Sequence, residues 1–180
     1  MKIKPSGFVL GAAVLALAVT PPASGGPREQ AGAKKFTAHL IGTNEVPPTA
    51  SLGDATLKMT LSDDETQLDF TLTYTGLTGN PGAAHIHFGP TKVNGGVMVF
   101  FCGGGGKPAC PTATAGEVTG TITAADVIGP AAQLVPAGNF LPVILALRNN
   151  LAYANMHTTL APGGEIRGPV KKMTMFGGGM

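Results

Sequence analysis

The amino-acid sequence predicts an all-β domain: an antiparallel Greek-key β-sandwich of about eight short strands with one short helix near residues 140–149. Three observations carry this expectation. Apolar and polar residues alternate over several short stretches, the pattern of half-buried antiparallel strands. Gly and Pro punctuate those stretches at close intervals. The chain is 43% apolar, so its 27 glycines read as turns in a packed β protein rather than as disorder.

At 180 residues a single folded domain is expected. Residues 1–25 resemble a secretory signal, with Lys2 and Lys4 ahead of an apolar run over residues 9–19 and small residues at Ala23-Ser24-Gly25. The run is too short to span a bilayer, so no transmembrane segment is expected in the mature chain. Residues 26–34 form a linker rich in Gly, Pro and charge, residues 35–170 the β domain, and residues 171–180 a flexible tail ending in glycines. An exported, periplasmic or secreted protein follows.

The first strand shows Phe36, Ala38 and Leu40 alternating with Thr37 and His39. Leu57, Met59 and Leu61 make the second, and Leu68, Phe70, Leu72 and Tyr74 the third, with Asp63-Asp64-Glu65 as the hairpin tip between them. Further strands are expected around residues 83–88, 96–101, 116–123, 151–157 and 165–170. Asn139 is placed to cap the helix, with Leu141, Ile144 and Leu145 on its inward face, Pro142 in its first turn and Asn149-Asn150 at its end.

Removal of residues 1–25 takes away two lysines and no acids, leaving a neutral chain. Such a chain has no electrostatic footprint for nucleic acid or acidic membranes. The two cysteines, Cys102 and Cys110, flank a Gly103–Gly106 run, and in an exported protein they are expected to join. Closing so short a loop stabilises by about 2–3 kcal/mol on the chain-entropy account.

Two segments carry the candidate chemistry: Ala84-His85-Ile86-His87-Phe88-Gly89 and Tyr153-Ala154-Asn155-Met156-His157-Thr158. In a strand, residues two apart share a face. His85 and His87 therefore point one way, as do Tyr153, Asn155 and His157, and both sets lie opposite the apolar residues. If the two strands meet, three imidazoles converge. Imidazoles suit copper or zinc, and three of them with an open position make a metal site; the same residues also fit a hydrogen-bonded structural cluster. Arg167 is placed to fork onto Glu45 or Glu165, and Glu45, Asn155, Glu165 and Arg167 read as structural. His39 reads as a surface histidine. No Gly-x-Ser-x-Gly, phosphate loop or dinucleotide fingerprint is present, so no catalytic residue is assigned.

The ordered set of motifs resembles a chordin-type (CHRD) domain. It runs from Phe36-Thr37-Ala38-His39-Leu40 and Asn44-Glu45-Val46-Pro47-Pro48 through Gly53, Ala84-His85-Ile86-His87 and Asn94-Gly95. It closes with Tyr153-Ala154-Asn155-Met156-His157-Thr158 and Gly163-Gly164-Glu165-Ile166-Arg167-Gly168. The resemblance implies export and a β fold, with an extracellular or periplasmic protein or small ligand as partner. The Cys102–Cys110 insert is not part of the family pattern. A fainter likeness, to Cu,Zn superoxide dismutase, rests on His85, His87, His157 and Arg167; it lacks a bridging histidine and a zinc loop. Two functions follow: a non-enzymatic binding or structural module with a histidine metal site, or a mononuclear copper protein with dismutase-like redox activity.

Overall fold

The computed structural model describes residues 1–2 and 32–173. The expected signal segment, most of the linker and residues 174–180 lie outside the described residues. The described chain forms nine strands: β1 (Lys35–Ile41), β2 (Asp54–Leu61), β3 (Gln67–Thr75), β4 (Pro81–Phe88), β5 (Gly96–Cys102), β6 (Gly116–Thr123), β7 (Ala152–Thr158), β8 (Ile166–Pro169) and β9 (Lys171–Lys172). One α-helix, α1 (Leu141–Arg148), precedes β7. All strand pairings are antiparallel. The all-β expectation with a single short helix holds.

The strands make one sheet in the order β5-β4-β7-β8-β1-β2-β3-β6, with β9 beside β1. The sheet curls until its ends face each other, nearly closing into a barrel. Phe70 of β3 and Phe101 of β5, far apart along that order, meet with ring centroids 4.7 Å apart. The alternation read in the sequence sets the inner face. Leu57 pairs with Leu72, Phe36 with Met59 and Met59 with Phe70, and all five are buried. Burying each large apolar side chain contributes roughly 1.5–3 kcal/mol.

Two local departures from the sequence pattern matter. The helix turns a different face inward: Val143, Ile144, Ala146 and Leu147 are buried, whereas Leu141 and Leu145 are exposed. Phe140, not Asn139, is the cap position, although Asn139 Oδ1 accepts from Leu141 N at 3.2 Å. Second, β7 is buried on both faces except at His157. Its second face is roofed by loops, so half-exposed alternation does not apply there. Pairing also continues past residue 170, where Lys171 and Lys172 of β9 stand opposite Thr37 and Phe36.

Cys102 and Cys110 are joined, with Cα atoms 4.9 Å apart. No helix among the described residues is long and apolar enough to cross a membrane.

Candidate metal centre

Strands β4 and β7 pair with His85 opposite Asn155 and His87 opposite Tyr153. Because partners in an antiparallel pair share a face, the two polar sets adjoin. Ala84, Ile86, Ala154 and Met156 fill the core on the other side. The pairing of β4 with β5 shifts register on either side of the His85–Ile86 step. Bulges of this kind re-aim side chains beside functional sites. One potential ligand atom from each of His85, His87 and His157 lies within 4.8 Å of the others. The ring of His85 stands 4.6 Å from that of His87 and 4.7 Å from that of His157.

Backbone carbonyls orient two of these rings. His87 Nδ1 lies 2.7 Å from the carbonyl oxygen of Gly95, and His157 Nδ1 lies 2.9 Å from that of Pro162. A carbonyl only accepts, so each Nδ1 carries the proton and donates. In a neutral imidazole this leaves a lone pair on Nε2. Both Nε2 atoms flank the amide of Asn155, His87 Nε2 at 3.0 Å from Oδ1 and His157 Nε2 at 3.0 Å from Nδ2. The amide N–H donates to His157, while its oxygen faces the lone pair of His87. Turning the amide over only moves the clash to His157. Two lone pairs compete for one amide N–H group, so the neutral cluster is one hydrogen-bond donor short. His85 adds a further buried Nδ1 with no hydrogen-bond partner.

Burial, reinforced by the charges of His87, His157 and Arg167, pushes the pKa of His85 down to about 3. Burial also lowers that of His87, against the raising effect of its bonds to Gly95 and Asn155. Both are therefore poor sites for the missing proton at neutral pH.

A second layer holds the cluster. The ring of Tyr153 stacks on His87 at 4.6 Å, and the Arg167 guanidinium lies 4.4 Å from the centroid of the Tyr153 ring. Arg167 donates to the Thr91 carbonyl at 3.1 Å and to Asn94 Oδ1 at 3.0 Å, gripping the loop that presents Gly95 to His87. Its Nε stands 2.9 Å from Glu45 Oε2, an ionic contact without hydrogen-bond alignment. Arg167 thus takes Glu45 rather than Glu165. Burial raises the pKa of Glu45, and the nearby Arg167 only partly offsets it. Gly164 makes room for that carboxylate: a Cβ there would come 2.8 Å from Glu45 Oε1.

Glu165 serves elsewhere. It accepts from Ser51 Oγ at 2.6 Å, Thr78 N at 2.7 Å, Thr78 Oγ1 at 2.9 Å and Thr158 Oγ1 at 2.5 Å. Burial alone would push its pKa up, but these bonds outweigh it and lower it. His39 stays outside the cluster, paired on the exposed face with Asp54 at 2.5 Å. Sequence reasoning missed Tyr153 as a stacking partner and the carbonyls of Gly95 and Pro162. The Asn94-Gly95 and Pro162-Gly163 turns that place those carbonyls were the available signal.

No curated protein and no solved structure matches the chain significantly. The sequence model of the CHRD domain matches residues 36–170, nearly all of the described β domain, and the chain belongs to that family.

Proposed function

We propose that this protein is an exported CHRD module that binds one copper or zinc ion through His85, His87 and His157, as a binding module rather than an enzyme. One observation carries the reading: two carbonyl-anchored imidazoles turn their Nε2 lone pairs on a single amide that satisfies only one of them. A metal ion taken by the Nε2 lone pairs would resolve this mismatch. The Nδ1–H to carbonyl bonds are the outer-shell support that fixes tautomer and ring orientation in histidine metal sites. The all-imidazole donor set suits copper or zinc. When bound, the ion supplies Lewis acidity, and with copper also one-electron chemistry. Export is supported by the pattern of residues 1–25 and by the disulfide.

The non-enzymatic reading rests on the neighbouring acids. Glu165 is saturated with donors, and Glu45 is committed to Arg167. Glu165 is therefore not free as a general acid or base, and Glu45, 2% exposed, is shut off from solvent. Metal analysis of protein purified without a His tag, followed by a superoxide-turnover assay, tests both halves. One equivalent of copper or zinc without turnover is expected. Fast turnover with stoichiometric copper would replace this reading with the dismutase-like one, and protein that neither carries nor takes up metal would refute the site.

A further inference from the structure

Two of the three histidines are held by backbone carbonyls. His85 is not: its Nδ1 has no partner, and what surrounds its ring is packing. Besides the rings of His87 and His157, that packing is Phe100. Phe100 pairs with His85 across the β4–β5 register, and its ring meets His85 edge-on with centroids 4.9 Å apart. Phe100 is in turn seated by the glycine run that follows it. A Cβ on Gly104 would lie 2.4 Å from the Phe100 ring, and one on Gly105 would lie 2.7 Å from it. Only glycine allows the loop backbone this close. The Cys102–Cys110 disulfide closes that loop. Lys107 then ties it to the far end of the sheet, through an ion pair with Asp126 at 2.8 Å and a bond to the Thr121 carbonyl at 2.9 Å.

We infer that Phe100, clamped by the disulfide-closed glycine loop, is the positioning residue for His85 and sets the affinity of the three-histidine site for its metal. The inference rests on the metal reading above and assigns a role to the Cys102–Cys110 insert. Phe100 touches no metal; it acts by holding a ring that no hydrogen bond holds. Loss of an outer-shell contact at a metal site typically weakens binding 10–100-fold.

The test uses Phe100→Leu, Phe100→Tyr and the double variant Cys102→Ser/Cys110→Ser in the full chain. Copper(II) affinity is measured by competition with a chelator, the bound copper by electron paramagnetic resonance, and the His85 ring protons by NMR in metal-free protein. Phe100→Leu is expected to weaken copper about tenfold, change the copper hyperfine pattern and shift the His85 ring signals. Phe100→Tyr should keep wild-type values. The cysteine variant should follow Phe100→Leu while its fold, judged by circular dichroism, persists. Wild-type affinity, copper spectrum and His85 signals in Phe100→Leu would overturn the inference. If wild-type protein takes up neither copper nor zinc, the metal reading fails, and the His85 ring signals of the metal-free variants still decide whether Phe100 positions that ring.

Discussion

At the scale of single residues, the cluster's outer layer makes the sharpest stability prediction. Glu45 is 2% exposed and Arg167 3%, and the two form a buried ion pair at 2.9 Å. Arg167→Met strands a buried carboxylate and releases the Thr91–Asn94 loop. It should cost about 3–5 kcal/mol in urea denaturation. The double variant with Glu45→Leu should recover much of that, because a buried pair replaced as a unit removes the stranded charge. Equal losses in the single and double variants would show that the pair is not the source. His85 makes a pH prediction for metal-free protein. Its folded pKa lies near 3, below the ordinary histidine value of about 6.5, so the unfolded chain takes up the proton first. Stability is then complete above about pH 6.5 and falls as pH drops toward 3, by about 1.4 kcal/mol per pH unit. His87 acts in the same direction. Glu45, whose pKa is raised, acts in the opposite one just above its ordinary range. His85→Gln should flatten the slope between pH 6.5 and 5 in chelator-treated protein, and an unchanged slope would contradict the assignment.

At the scale of elements, the strands were legible because their two faces differ in chemistry. Leu68, Phe70, Leu72 and Tyr74 alternate with polar residues, and all four are buried. Leu72→Ala should cost about 2–5 kcal/mol. The helix was legible in position but not in phase, since seven of its eight residues are apolar or Pro and several stripes fit the period equally. The structure separates them, with Ile144 at 3% exposure and Leu145 at 49%. Ile144→Ala should therefore lower the unfolding midpoint clearly, and Leu145→Ala should leave it nearly unchanged. The candidate site was legible only in part. Period-two spacing placed His85 and His87 on one face and Asn155 and His157 on another. That β4 and β7 are neighbours is a long-range pairing no local pattern encodes. The anchoring carbonyls of Gly95 and Pro162 belong to turn geometry, which side-chain types do not specify.

At the scale of the whole molecule, the strand order β5-β4-β7-β8-β1-β2 brings loops from distant parts of the sequence onto one outer face. Glu45 comes from the β1–β2 connection, Gly95 from β4–β5 and Pro162 from β7–β8. The three-histidine cluster is thus a property of the long-range β4–β7 pairing, not of any one segment. The central claim is that this roofed cluster is completed by one metal ion. The most direct measurement is a titration of chelator-treated, untagged protein with zinc(II), read by calorimetry and by histidine NMR in the same samples. Saturation at one equivalent is expected, with the ring signals of His85, His87 and His157 shifting together, His39 unmoved, and binding lost in His157→Ala. Absence of saturable binding both in this titration and in a parallel one with copper(II), or binding that survives in His157→Ala with the three rings unperturbed, would contradict the metal site.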